Sequence, residues 1–268
     1  MQSYSLTSDT QDAPAANPLT GVDWGAVRRD ADRAIEARGF GVIGAELYGY
    51  VLRSGATHCE IVVETRANEP LFDVTIKHDG NGPAELAQVW EMLKPPSAEQ
   101  AGQDKRLTDG KGFVLVMSRS LKVKTTCGTV ECNPDGCHEH PSRKSRQGTS
   151  IAATFEWDYE RVRQLKSFFA AVVPPKGLTL DADTGSLSSQ EFSGTITIRA
   201  ALPTEPGNRG GTTRRYGAVQ LGSVSQGQEA TLFEHGVPVA ATGDDRCHYN
   251  VMQPVPLHDG GAPGKHYI

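Results

Sequence analysis

Apolar residues recur at three- and four-residue intervals from Val22 to Gly39, where Val22, Val27, Ala31, Ala34 and Ile35 stand among charges. That spacing predicts an amphipathic helix closed by Gly39 and Gly41. A second helix is predicted over 42–54, VIGAELYGYVLRS, stopping at Gly55. Alternation then replaces the helical period: 58–65, HCEIVVET, and 71–78, LFDVTIKH, read as neighbouring strands or a hairpin around a loop with Pro70. Residues 84–93 predict a short helix cut off by Pro95 and Pro96, and the polar, glycine-containing stretch 95–112 reads as a mobile loop. An apolar helix is expected over 113–120, then strands at 121–127 and 150–157 flanking a cysteine- and histidine-rich excursion. A helix over 159–173 ends at Pro174-Pro175, and a strand follows near 178–182.

The pattern changes after that. Residues 184–192 are rich in serine and glycine, and beyond them only strands are predicted, at 195–202, 216–222 and 230–236. The expected fold class is therefore α+β, with a leader over 1–20, a main domain over 21–190 and a smaller β-rich domain over 191–268. The leader has neither a basic start nor an apolar stretch and reads as disordered rather than as a signal peptide. No internal repeat is visible. With 268 residues the chain can bury a sizeable core. A net charge of −5 gives no footprint for nucleic acid, and no apolar run approaches the roughly 20 residues that cross a bilayer. Five cysteines, three of them within eleven residues, match a reducing cytoplasm better than a secreted disulfide framework.

The stretch 74–83, VTIKHDGNGP, poses the sharpest local question. Glycines directly after a strand mean either a tight backbone turn or a ligand lying against the chain. Three further runs bear on the answer: 46–57, ELYGYVLRSGAT; 110–121, GKGFVLVMSRSL; and 148–155, GTSIAATF. Taken in order with 78–82, HDGNG, these resemble the motifs of the GHKL nucleotide-binding superfamily of gyrase B, heat-shock chaperones, histidine kinases and MutL, over roughly residues 25–185. The resemblance implies a Bergerat-type α/β sandwich that binds ATP with Mg²⁺. It makes Glu46 the general base that orients a water against the γ-phosphate, a role suited to a carboxylate. It places His78, Asp79, Gly80, Gly82 and Thr149 around the base, and Gly110, Lys111 and Gly112 at the phosphates.

Two positions depart from that family's pattern. Tyr50 stands where the family has a magnesium-binding asparagine, and a neutral phenol is a poor ligand for that hard ion. His78 stands where the family has the aspartate that accepts from the adenine amino group; a neutral imidazole has one acceptor nitrogen, a cationic one has none. Asp79 should point to the opposite side of the strand. Hydrolysis is thus expected to be weak or lost, and the other reading of the same fold is a pseudo-enzyme scaffold or protein-interaction module holding no nucleotide.

Cys127, Cys132, Cys137, His138 and His140 supply five residue types that zinc accepts, in CGTVECNPDGCHEH. The cysteine spacing is wider than in common zinc modules, so a structural zinc site and a loop of free thiols both stay open. The turn at 133–136 should bring Cys132 and Cys137 together, and Arg143, Lys144 and Arg146 form a basic run beside it. Near the end, Glu234, the Gly236-Val237-Pro238-Val239 turn and 251–257, VMQPVPL, resemble a segment of bacteriophage rII-A-like proteins. That resemblance implies a viral protein in a bacterial cytoplasm, acting in host–phage interaction through a protein partner, with self-association into a homodimer left open.

Overall fold

A computed structural model describes residues 21–95, 110–133, 136–142, 148–183, 192–203, 212–224, 227–243 and 245–252; for 181–183, 192–203 and 212–218 only the backbone is described. The expected leader, residues 96–109 of the expected loop, the 184–191 stretch, the basic run at 143–146 and the end of the phage-like segment lie outside the described residues.

Helix α1 (Trp24–Arg38) begins where the Asp23 carboxylate accepts the Ala26 N–H at 2.9 Å, and ends at Gly39, whose φ of 72° few other residues adopt. It buries only Val27 and Ala31. Helix α2 (Gly41–Arg53) is the opposite case, buried at every position from Val42 to Val51. A helix apolar all round needs partners all round. It finds them in α1, α4 (Phe113–Met117) and α5 (Tyr159–Ala171).

The main sheet takes its order from buried alternation. In β1 (His58–Thr65) Cys59, Ile61 and Val63 are buried; in β2 (Leu71–His78) Phe72, Val74, Ile76 and His78 are. The two pair antiparallel as the expected hairpin, with Ile61 opposite Ile76. With β3 (Ser120–Lys124), β4 (Gly128–Asn133), β5 (Gly136–Pro141), β6 (Thr149–Glu156) and β7 (Thr179–Asp183), the order is β5-β4-β3-β6-β2-β1-β7. Only β7 runs parallel to its neighbour, β1. Phe40, Phe72 and Phe155 meet edge-on and stacked within 6.2 Å in the core between sheet and helices. The short helix α3 (Leu86–Leu93) lies against β4. The chain has the expected α+β class, a mixed sheet packed on a helical layer.

Two local expectations are corrected. The helix expected over 113–120 stops at Met117, because Ser118 turns extended and the Arg119 N–H bonds to the Thr154 carbonyl at 2.7 Å, feeding β3 into the sheet. The cysteine-rich excursion is no loop: β4 and β5 continue the sheet as a hairpin.

A second sheet follows, formed by β8 (Phe192–Pro203), β9 (Thr212–Ser223), β10 (Ala230–Glu234), β11 (Val237–Gly243) and β12 (Cys247–Val251), in the order β11-β10-β12-β9-β8. The sequence does not delimit strands β11 and β12, since Pro238 and the short lengths hide their alternation. The β10–β11 hairpin docks on α5: Val237 and Val239 join the main core, and the Val173 N–H donates to the Gly236 carbonyl at 2.7 Å. Arg38, at the end of α1, also senses this sheet. Burial lowers its pKa to about 10, and the charge of buried Glu234 opposes the fall. Among the described residues no helix is long and apolar enough to cross a membrane.

Candidate functional site

Glu46 lies in the middle of the all-buried helix α2 and is 1% exposed. Its Oε1 accepts the backbone N–H groups of Lys111 at 3.1 Å and Gly112 at 3.0 Å; its Oε2 accepts those of Phe113 at 3.1 Å and Val114 at 3.3 Å. The Tyr50 hydroxyl donates to Oε1 at 3.1 Å, from one helical turn further on. Gly112 starts α4 in the left-handed region, φ 74°, and no side chain of its own segment caps that helix. Glu46 does so from another helix, satisfying amides that would otherwise be orphaned in the core. Burial raises its pKa, while the hydrogen bonds from Lys111, Tyr50, Val114 and Gly112 pull it back.

A carboxylate has about four lone-pair sites. Five donors converge on this one, so no acceptor direction remains to orient a water. Glu46 is held as a structural cap.

Tyr50 is 3% exposed, and its ring fills space beside Gly110, where an added Cβ would lie 3.6 Å from Cε1. Its phenol is kept neutral: burial and the neighbouring Glu46 charge push its pKa well above the usual tyrosine value. The Arg53 guanidinium sits 5.3 Å from the ring centroid. With the neutral hydroxyl donating its hydrogen bond to Glu46 and that carboxylate saturated, the residues present do not fit a magnesium ion at this end of the site.

The glycine turn has a direct explanation. A Cβ at Gly80 would lie 2.3 Å from Ser54 Oγ and 2.7 Å from Ala56 N; one at Gly82 would lie 2.2 Å from Thr149 Oγ1. At Gly80 the obstacle includes backbone, so glycine is required; at Gly82 it is the Thr149 side chain. Asp79 faces away from His78, accepting from Thr57 N at 2.8 Å, Thr57 Oγ1 at 2.5 Å and His58 N at 2.9 Å. It ties the turn to the Gly55-Ala56-Thr57 bend rather than facing a base.

Those bonds, the Thr57 hydroxyl first, hold the Asp79 carboxyl at about 2, down from 3.8. A depressed folded-state value adds stability above the unfolded pKa and loses it as pH falls through the folded one. Wild-type denaturation midpoints are therefore expected to drop between pH 4 and 2 more steeply than those of Asp79→Asn, as urea titrations at each pH would show.

His78 and Thr149 are the residues of this end with something left to offer. They are directly opposed across β2 and β6, and 6% and 5% exposed. Among the described residues, His78 Nδ1 and Thr149 Oγ1 have no hydrogen-bond partner. Burial lowers the His78 pKa, against the Asp79 charge, which favours the neutral imidazole with one donor and one acceptor nitrogen.

The four motif runs do converge. The first touches the second through Ser54 and Gly80 and the third through Glu46 and 111–114, while the second meets the fourth at Gly82 and Thr149. Sequence reasoning missed the bond between Glu46 and Tyr50, although their spacing of four on one helix was the available signal.

The zinc set is not assembled. Cys132 and Cys137 are opposite each other in the β4–β5 hairpin and joined as a disulfide, as the turn at 133–136 allows. Cys127 stands apart, its Sγ 2.9 Å from Thr125 Oγ1 and 3.4 Å from the Pro83 carbonyl. His138 and His140 are exposed on β5, opposite Glu131 and Thr129. Among the described residues no three metal-binding side chains come together. Of the two readings left open, neither the zinc staple nor the loop of free thiols is what is found: Cys132 and Cys137 are spent on the disulfide, in a strand hairpin.

No family model matches the chain, and no curated protein does. Solved structures similar to it include the ATPase region of Saccharomyces cerevisiae topoisomerase II, at 14% identity and a TM-score of 0.44. The same region bound to ICRF-187 (dexrazoxane) matches at 13% identity, also with a TM-score of 0.44. Each match covers 75% of this chain and 62% of the other, so the chain spans about three fifths of those chains' length.

Proposed function

We propose that residues 21–190 form a nucleotide-binding domain of GHKL type in which ATP hydrolysis is lost, followed by a β-rich domain over 191–268. The observation that carries the loss is the Glu46 carboxylate, saturated by four backbone amides and the Tyr50 hydroxyl. The purine end is supported by the buried, unpartnered His78 Nδ1 and Thr149 Oγ1, a donor–acceptor pair suited to a base edge.

A consequence for affinity follows. The amides at the start of α4 already hold an internal anion, so a phosphate tail gains nothing there. ATP, ADP and adenosine are expected to bind within about threefold of one another, under 1 kcal/mol, with no dependence on Mg²⁺. Isothermal titration checks this, and Thr149→Val is expected to weaken all three. Phosphate release stays at the level of buffer. Release that disappears in Glu46→Gln would restore the hydrolase.

A second reading, a scaffold with no nucleotide, is favoured by the close approach of Gly82 to Thr149. It predicts no thermal shift at millimolar adenosine, where ligand at a hundred times its Kd would add about 2.7 kcal/mol. The phage-type role, in a bacterial host cytoplasm with a protein partner, rests on the resemblance at 231–257. Host proteins co-purifying with the chain, and lost on deleting the β10–β11 hairpin, are its test.

A further inference from the structure

An open cleft of about 540 Å³ lies at the other end of the main sheet. Strand β6 separates the two places: Thr149 begins it at the purine end and Glu156 closes it at the cleft, about 23 Å away at roughly 3.3 Å per residue. Three arginines, Arg28, Arg119 and Arg161, are among the residues that line the cleft, against one acidic residue, Glu156. In a chain of net charge −5 this is a local reversal of sign.

The three arginines are not equivalent. Arg119 is paired with Glu156. Arg28 donates to the Val116 carbonyl at 3.0 Å and touches Asp32 at 3.3 Å across an exposed pair, an interaction worth little in water. Arg161 has no carboxylate partner among the described residues; its guanidinium lies 5.3 Å from the centroid of the fully buried Phe40 ring, which fixes its direction. Arg161 also stands in the first turn of α5, where the helix dipole disfavours a cation. The contact with Phe40 uses one face of the guanidinium and leaves its N–H donors without a carboxylate among the described residues.

We propose that this cleft binds a small molecule bearing an oxyanion group, phosphate or carboxylate, held by the guanidinium forks of Arg161 and Arg28. A guanidinium presents parallel N–H donors that match either group in a bidentate manner, where a lysine would offer only a point charge. The volume falls in the range of small-molecule sites, about 300–1,000 Å³. Arg119 and Glu156 line the same cleft as an ion pair, and Glu156 limits the negative charge accepted. The site is independent of the nucleotide reading, and either can stand without the other.

Titration calorimetry of the full chain at low salt tests it, with pyrophosphate and citrate as probes. Binding is expected with at least one, and the preferred probe assigns phosphate or carboxylate. Arg161→Ala and Arg28→Ala should each weaken it by about tenfold, Glu156→Gln should tighten it, and Thr149→Val should leave it unchanged. Added salt should weaken it. The three variants other than Thr149→Val alter half-buried or exposed side chains, and circular dichroism checks that all four fold. No heat with either probe at about 10 mM, or equal affinity in the Arg28→Ala Arg161→Ala double variant, overturns the proposal.

Discussion

Glu46→Ala is expected to destabilise the protein by about 4 kcal/mol, which for a chain of this size lowers Tm by about 10 °C. The substitution deletes the acceptor of four backbone N–H groups and one phenol, all but the half-buried Lys111 N–H in the core. Hydrogen bonds to an ionised group contribute about 1.5–3 kcal/mol each, and a buried donor left unsatisfied costs about 1–3 kcal/mol. Removing the burial penalty of the carboxylate itself offsets part of the loss. Water entering the vacated volume offsets some of the rest.

Glu46→Gln refines the test. It keeps one acceptor oxygen but turns two donors toward the amides on one side, so an intermediate loss of about 2 kcal/mol is expected. Guanidinium denaturation of the three proteins measures both. A catalytic base behaves otherwise: its replacement abolishes turnover while leaving stability unchanged or improved. Equal midpoints for wild type and Glu46→Ala would remove the cap and return Glu46 to a solvent-directed role.

The second large effect is at Gly236. His235 and Gly236 both have positive φ, 50° and 83°, at the turn between β10 and β11. That combination is the signature of a type I′ hairpin. A Cβ at Gly236 would lie 1.9 Å from the Val173 carbonyl oxygen and 3.0 Å from its carbon. Both are backbone atoms, so no rotamer change relieves the contact. The amide of Gly236 is committed as well, donating to Asn250 Oδ1 at 2.7 Å.

Gly236→Ala therefore adds overpacking of about 1–3 kcal/mol to the strain of a left-handed alanine, of order 1 kcal/mol. The hairpin is expected to lift off α5 and expose Val237 and Val239. Hydrogen exchange should show β10 and β11 losing protection while β1 and β2 keep theirs. Unchanged exchange in the hairpin would mean that the second sheet is not anchored there.

Much of the first domain was legible because its signals are local. Helix α1 carries its cap and its stop in Asp23 and Gly39, and β1 and β2 alternate cleanly through Ile61 and Ile76. The order of four glycine-bearing runs was readable too, and they do meet in space. The end of α4 was not readable, because the apolar run 113–117 carries no stop signal of glycine or proline after it and only the bond from Arg119 to Thr154 tells strand from helix. The cysteines misled for a related reason. Residue types permit zinc, but pairing across a hairpin places Cys132 against Cys137 and turns His138 and His140 to solvent.

Sequence alone determined the class of fold and the helix that carries Glu46, since periodicity acts over a few residues, whereas the close approaches at Gly80 and Gly82 come from Ser54, Ala56 and Thr149, which only the fold brings near. What Glu46 does was decided only by tertiary structure. Its partners at 111–114 lie more than sixty residues away, and whether a buried carboxylate faces water or amides depends on which backbone the fold brings to it. The same holds for the cleft: Arg28 and Arg161 are 133 positions apart in the chain and line one cleft only because the fold brings the starts of α1 and α5 to it.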